Sequence, residues 1–584
     1  MSRGARRTRR EGDGTDVRPW PNHCGPRLAA ALLALAVGRG PSAAAQETSP
    51  TVDFLPLPDR WRIALGEWPR YADAPPYSAG NEEFPYVADQ WWNPYRRNVL
   101  KGDLPIVGQE WFLALTATAD SLYEKRRLPT PSGVTTSDPG SDPFFGDGDQ
   151  RFAATTLLLS VELFRGDAAY RPRDLELRLT PAFQRNYLHL EERNGTEIDP
   201  REGETRDDSF AGWQELFLEV HLADTSPWYD FVSSRFGVQP FLSDFRGFVF
   251  NDNQPGFRLF GNAASNRHQW NLAWFRLVEK DTNSGLVDLA DPRRQQVAIA
   301  NWYVQDCLAP GWTHQWSLHW NRDRGGRHED DNGFPARPTR LGSAADHELD
   351  TVYFGWASEG HAGWLNVSHA VYQVIGRDTL NPLAGRRTRV NAQMAALELS
   401  RDFDWLRPKG ALFWASGDRD PDDAVAQGFD SIFDAVNFVG GPFSFWNRQG
   451  LALTGTPVAL VDRLSLLPHL RTSKLHDTAN HVNPGLLILN AGLDAKLTQE
   501  LKLELNASWL RFDHTAPLEL ALNDDDLAPE IGLDLSVGLN WRPWLTDNVI
   551  LTAGHAWLLP AEGLRDLYGS GSLHAGFVGV TLTW

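Results

Sequence analysis

The sequence predicts an all-β protein, a transmembrane antiparallel β-barrel of about 18 strands (16–20 allowed), with short periplasmic turns and long extracellular loops. Three observations predict it. Segments of nine to twelve residues alternate apolar and polar side chains. The links between them alternate between short and long. The last segment, HAGFVGVTLTW, carries Val578, Val580, Leu582 and Trp584 on one face of an extended strand, with Thr581 and Thr583 on the other. Helices are not the spanning elements, because no stretch approaches the roughly 18 continuous apolar residues a helical span needs. Aromatic residues are nevertheless abundant, with 24 Trp and 30 Phe along 584 residues.

The elements follow in chain order. Residues 1–45 read as a secretory leader: a basic start with Arg6, Arg7, Arg9 and Arg10, the apolar run LAAALLALAVG (28–38), and an Ala43-Ala44-Ala45 site that places cleavage before Gln46. Cys24 precedes the apolar run, so it is not placed as a lipoprotein anchor. Cleavage leaves Cys307 as the single cysteine of the mature chain and no internal disulfide. The leader takes eight Arg and three acids with it, leaving 48 basic and 72 acidic groups, a net of −24. Such a balance excludes nucleic acid as a partner, because phosphates need Lys and Arg to neutralise them.

Residues 46–108 lack alternation and are rich in Pro and aromatics (FLPLPDRWRIALGEWPRY, FPYVADQWWNPYRRNVLKGDLPIVG). They read as a periplasmic segment or a plug entering the lumen, since flexible linkers seldom carry so many Trp and Tyr. The barrel is expected over 109–584, with QEWFLALTATAD (109–120) as its first strand. The clearest strands are LILNAGLDAKL (487–497), LKLELNASW (501–509) and IGLDLSVGLNWR (531–542), each with one apolar and one polar face. Short links are expected at 543–547, 498–500, 404–409, 358–362, 307–309 and 223–229. Long ones are expected at 558–572, 513–529, 417–448, 376–389, 321–346 and 190–210. Pro181 interrupts LELRLTPAFQRNY (175–187), and 449–472 could hold one strand or two. The last strand is expected to close the barrel onto the first.

Alternation places Asp494, Lys496, Lys502, Glu504, Asp534 and Arg542 on the lumen face, where wall charges bias what passes. Trp509, Trp541, Trp544, Trp557 and Trp584 sit at strand ends, as aromatic girdles do. Asp418, Asp420, Asp422 and Asp423 lie in SGDRDPDDAVAQGFD (416–430), where alternate carboxylates can converge on a hard cation. Asp423 stands where an EF-hand requires glycine and Phe429 where it requires an acid. Ca2+ in that loop is the one cofactor the sequence allows, and a solvated acidic loop is the alternative. Gly579, Leu582 and Trp584 match the terminal-strand pattern read by barrel assembly machinery, from which Phe577 departs. Catalytic motifs are absent: no G-x-S-x-G, H-E-x-x-H, P-loop or C-x-x-C-H occurs, so an enzyme is not expected.

Two stretches resemble the alginate-export-type family of outer-membrane barrels. One is SSRFGVQPFLSDFRGFVFNDNQPGFRLFGN (233–262), with Arg235, Gly237 and Gln239 in Arg-x-Gly-x-Gln spacing around an Asp-bearing loop. The other is FWASGDRDPDDAVAQGFD (413–430), similar to that family's Ser-Gly-Asp loop. The resemblance implies a monomeric barrel of about 18 strands that passes or exports anionic polysaccharide or small anionic solutes. That family's exporter has an Arg-rich lumen, and no such inward stripe is read here, so the fold and channel class carry over but not alginate.

The expected function is therefore a porin-like channel for passive diffusion or export of small or polymeric solutes in the outer membrane of a Gram-negative-type bacterium. Its expected partners are outer-membrane lipid, the assembly machinery, a solute and a periplasmic export or electron-transfer protein. Alternatives are the barrel sheath of a multihaem electron conduit, an outer-membrane enzyme, and a soluble secreted carbohydrate-binding β-protein.

Overall fold

A computed structural model describes residues 93–584 except 96–97, 109, 132–144, 147, 167–171, 229, 340, 454–463, 469 and 570. The leader and residues 46–92 lie outside the described residues. Eighteen strands form one closed antiparallel barrel. The first nine are β1 (Trp111–Arg127), β2 (Asp149–Arg165), β3 (Leu175–Leu190), β4 (Thr205–Asp224), β5 (Phe231–Leu242), β6 (Asn251–Ala263), β7 (His268–Lys280), β8 (Val287–Val304) and β9 (Trp312–Asp323). The second nine are β10 (Leu349–Ala362), β11 (Leu365–Asn381), β12 (Arg386–Ser400), β13 (Leu406–Ala415), β14 (Leu486–Lys496), β15 (Leu501–Arg511), β16 (Glu530–Trp541), β17 (Val549–Pro560) and β18 (Leu573–Thr583).

Each strand pairs with the next, and β18 returns to β1 from Thr118↔Thr583 to Arg127↔His574. Ala117 and Trp584 then exchange backbone hydrogen bonds of 3.0 and 2.8 Å. The expected closure is thus observed, on the second half of a first strand longer than 109–120. Closure leaves no open edge in the hydrocarbon layer, where an unpaired backbone group costs several kcal/mol. Toward the N-terminus of β1, a short strand, Lys101–Val107, takes over the edge that β18 leaves. The ammonium of Lys101 lies 4.1 Å from the centre of the Trp584 ring. This part of the segment expected to be a periplasmic segment or a plug extends the wall.

The outer face is apolar where alternation placed lipid: Leu489, Leu505, Leu533, Leu539, Val578 and Leu582 are exposed, while Asn490, Ser508 and Ser536 are buried inside. Trp541 and Trp544 lie at the short-turn end, and Trp509 and Trp557 toward the other end, all exposed. A second row went unread in the sequence: Trp270, Trp302, Trp316 and Trp356 are direct neighbours across β7 to β10 near the short-turn end. Rings that are apolar in body and polar at one tip suit the lipid–water boundary.

Links at one end are short: 166–174, 225–230, 264–267, 305–311, 363–364, 401–405, 497–500 and 542–548. At the other end 128–148, 191–204, 324–348, 416–485, 512–529 and 561–572 are long. Several expected boundaries shift. The turn expected at 358–362 is 363–364, because β10 runs to Ala362. The long link expected at 376–389 is only 382–385, because Arg377, Arg387 and Arg389 are strand residues at the rim and look loop-like in sequence. Residues 449–472 contribute no barrel strand among the described residues. Leu451, Leu453, Leu466, Leu467 and Leu470 are buried inside the barrel instead, and an apolar run buried on all sides looks like strand. Pro181 sits at a register shift between β3 and β4, a bulge that tolerates its missing donor. Cys307, in the turn after β8, is disulfide-bonded. The expectation of no disulfide applied to the leader-cleaved chain.

Candidate functional site

The lumen is the candidate site, and residues 416–485 shape it. This loop folds inward and packs Phe429, Phe433, Phe438, Phe445 and Trp446 against wall residues such as Phe241, Phe250, Phe275 and Phe413. Its polar groups are tied one by one. The buried Asp430 carboxylate accepts from Arg471 Nη2, Lys474 Nζ and the Asn480 amide, each at 2.9 Å. Burial would raise the Asp430 carboxyl, but the charges of Arg471 and Lys474 outweigh it and hold it well below the usual carboxylate range. From the wall, Tyr353 donates its hydroxyl to the Asp430 carbonyl at 3.0 Å. Arg293 on β8 donates to the carbonyls of Leu475 and Asp477 at 3.0 and 2.9 Å.

The tip of the loop, 437–443, crosses the lumen. Gly440 and Gly441 have φ of +95° and +50°, so the backbone turns where a side chain would be strained. Phe443 then lies on Gly538 of β16, where an added Cβ would come within 2.4 Å of the ring. The same ring stacks on Phe577 at 5.9 Å, and the Arg448 guanidinium covers Phe577 at 3.9 Å. That role accounts for the aromatic at 577: it faces inward and supports the loop. A five-residue helix, α1 (Phe445–Gln449), follows, with Ser444 as N-cap.

Facing the tip, the β5–β6 turn also dips inward. The buried Asp244 carboxylate accepts from the N–H groups of Arg246 (2.8 Å) and Phe248 (3.1 Å) and from the Tyr372 hydroxyl (2.7 Å). Burial pushes its pKa above the ordinary value despite these bonds. This turn aims Arg246 at Glu398 (3.2 Å) and Glu359 (3.4 Å). A cavity of about 480 Å³ lies between tip and wall, lined by Arg246, Arg407, Lys409 and Lys502 and by Glu359, Glu398, Asp494 and Glu504. The charges pair across it: Lys409 to Asp494 at 2.8 Å, Lys502 to Asp494 at 3.2 Å and to Glu504 at 2.9 Å. A second cavity of about 310 Å³ lies between Pro442 of the tip, Glu124, Arg126 and Arg448. Pro442 borders both.

The residues expected on the lumen face divide. Asp494, Lys502 and Glu504 line the larger cavity. Lys496 is opposite Lys502 and exposed near the short-turn end. Asp534 is 2 % exposed. It accepts from the Ser444 hydroxyl (2.6 Å) and the Trp446 N–H (3.0 Å), so it anchors the loop and meets no solute. Arg542 lies outside the lumen, in the turn after β16, bridging Asp547 at 3.1 Å. Of the acidic loop, Asp418 is buried, and Asp420 and Asp423 accept the N–H groups of Asp422 and Val425. These four carboxylates form no cluster of three ligand atoms; among the described residues only Glu279, His328 and His476 do. Leu582 is exposed to lipid, and Gly579 pairs with Leu122 and Thr552 within the wall.

Sequence reasoning missed an inward charged stripe. Arg178 on β3 bridges Glu162 and Glu176 at 3.2 and 2.9 Å, and Arg235 on β5 pairs with Glu219. Arg235 covers Phe217 at 4.2 Å and Arg258 on β6 covers Phe260 at 4.4 Å. Register across four strands aligns them, which spacing along one strand could not reveal. Within the Arg-x-Gly-x-Gln spacing, Gln239 is buried and donates to the Gly256 carbonyl at 3.2 Å.

A closed, even-stranded antiparallel barrel with an apolar exterior and long loops at one end is the architecture of bacterial outer-membrane proteins, and this chain is of that class. No protein-family model and no curated protein sequence matches the chain. Among solved structures it is similar to Pseudomonas aeruginosa OccK9 (OpdG), at 10% identity and TM-score 0.45, covering 81% of this chain and 98% of that one. It is also similar to a BenF-like porin from Pseudomonas fluorescens, at 9% identity and TM-score 0.46, covering 81% and 98%. A third is Pseudomonas aeruginosa OpdK, solved with vanillate, at 10% identity and TM-score 0.41, covering 80% and 98%. None of these singles out the alginate-export type.

Proposed function

We propose that the protein is a passive outer-membrane channel for small polar solutes, with the inward loop 416–485 as its size filter. The observation that carries this reading is the charged lining at the loop tip: two cavities border Pro442, and ionic side chains line the larger and part of the smaller. Four basic and four acidic groups face each other in the larger one. Such a lining exchanges hydration for alternating charges and suits solutes that carry both signs, or short polar ones, better than a polyanion. The loop occupies the space that the sheath of an electron conduit keeps for its partner, which favours the channel. Planar-bilayer recording tests the reading. The wild type should conduct, and replacing 417–484 by a short Gly/Ser turn should raise single-channel conductance about threefold or more. Conductance no higher than in a protein-free bilayer, for both chains, would sink it.

A further inference from the structure

Three elements distant in sequence meet on the long-loop side of the lumen. Glu279 is next to last in β7, His328 opens a small hairpin inside 324–348, and His476 lies in 416–485. One candidate ligand atom from each lies within 4.8 Å of the other two. Glu279 Oε2, His328 Nε2 and His476 Nδ1 are all buried without a hydrogen-bond partner. Glu279 Oε2 stands 3.6 Å from His476 Nδ1, and the two imidazoles stack with centroids 4.9 Å apart. Buried polar atoms are normally satisfied, so three orphaned acceptors converging on one point call for a common partner.

The opposite atom of each side chain is already placed. Arg337 Nη2 donates to Glu279 Oε1 at 2.7 Å. Asp291 Oδ2 lies 3.5 Å from His328 Nδ1, and Thr282 Oγ1 lies 3.4 Å from His476 Nε2. Metal-binding histidines are oriented in this way, the second ring nitrogen held by a carboxylate or hydroxyl so that the first presents its lone pair. Arg293 Nη1 is 4.0 Å from Glu279 Oε2, and its positive charge is taken up by Asp323 at 2.9 Å.

We infer that Glu279, His328 and His476 bind a divalent first-row transition metal of the Zn2+ type, which staples the two long loops to β7. Two imidazoles and one carboxylate suit Zn2+, with water as fourth ligand, whereas Ca2+ and Mg2+ prefer oxygen. At metal–ligand lengths of about 2.0–2.1 Å, tetrahedral ligand atoms stand about 3.3 Å apart. The Glu279–His476 pair is near that separation, and a small contraction brings in His328. The site is independent of what the channel passes.

The test uses the full chain purified in detergent, stripped with a chelator and titrated with Zn2+ alone, its folding checked by heat-modifiable migration. Wild type should bind about one Zn2+ per barrel, and Co2+ in its place should show tetrahedral visible bands. His328→Ala and His476→Ala should each abolish that binding, and His361→Ala, at the exposed end of β10, should leave it unchanged. Asp291→Asn keeps all three ligands and should weaken binding about 10-fold. Zn2+ should also slow proteolysis of 416–485 in the wild type. No stoichiometric binding by wild type, binding by both histidine variants equal to wild type, or a loop cut equally fast with and without Zn2+ overturns the inference. Should a histidine variant fail to fold, the Co2+ spectrum and Asp291→Asn decide.

Discussion

Along β15, Leu505 turns outward and Asn506 inward, and β14 and β16 take the backbone groups between them in register. Among the described residues of the loop 416–485, only Val425–Ala426 joins the wall in a ladder, against Arg389 and Val390 of β12. Elsewhere single backbone bonds, such as Phe433 N–H to the Val249 carbonyl at 3.0 Å, and buried side chains satisfy the loop: Asn447 donates to the carbonyls of Val436 and Gly441 at 3.0 and 3.3 Å. The wall is stabilised by repetition, so one side chain matters little to its hydrogen bonding. The loop is stabilised by a few buried hubs, so a single substitution should release it. The loop can therefore vary while the wall is kept.

Asp430→Ala probes that contrast hardest. It leaves Arg471 and Lys474 buried without their carboxylate and should destabilise the loop by about 3–5 kcal/mol. The expected outcome is rapid proteolysis within 416–485 and noisier currents, with heat-modifiable migration of the barrel unchanged. Loss of the folded barrel itself would break the distinction. On the wall, Leu505→Arg puts a charge on an exposed apolar site in mid-strand and should lower unfolding stability by about 2–4 kcal/mol with the loop still protected. Arg246→Ala removes a positive charge from the constriction and leaves Glu359 and Glu398 facing it. Reversal potentials in a salt gradient should move toward cations by about twofold in permeability ratio.

The smallest effect concerns pH. Burial, reinforced by Asp423 and Asp420, pushes the Asp418 carboxyl up to about 7 from its ordinary 3.8. An acid whose folded pKa is raised favours the folded loop when protonated, so the loop should tighten as pH falls from about 7 toward 4 and loosen as pH rises through 7. Hydrogen exchange of residues 416–426 should follow that sign, and Asp418→Asn should flatten it. Protection that does not change with pH in the wild type, once the intrinsic pH dependence of amide exchange is removed, would show that Asp418 is already satisfied as an anion.

What could be read from the sequence follows the same division. Alternation in 487–497, 501–509 and 531–542 specified the strands and their lipid faces, because a wall residue meets lipid or lumen according to parity alone. Parity also assigned Asp494, Lys502 and Glu504 correctly to the cavity. It could not distinguish Asp534, on the same face, because what that carboxylate meets is the Ser444 cap of a helix 90 residues away in sequence. The Arg178–Arg235–Arg258 stripe escaped for a related reason: strand register, not spacing within a strand, brings those guanidiniums to one level.

By itself, then, the sequence determined a closed barrel, its orientation of turns and loops, and the closure of 573–584 onto the first strand. These are set by local periodicity and by the need to pair every backbone group in lipid. Only the tertiary structure decided that 416–485 turns inward, that Arg246 meets Glu359 and Glu398, and that Glu279, His328 and His476 converge. Each of those depends on contacts between residues tens to hundreds of positions apart, for which no periodic signal exists along the chain.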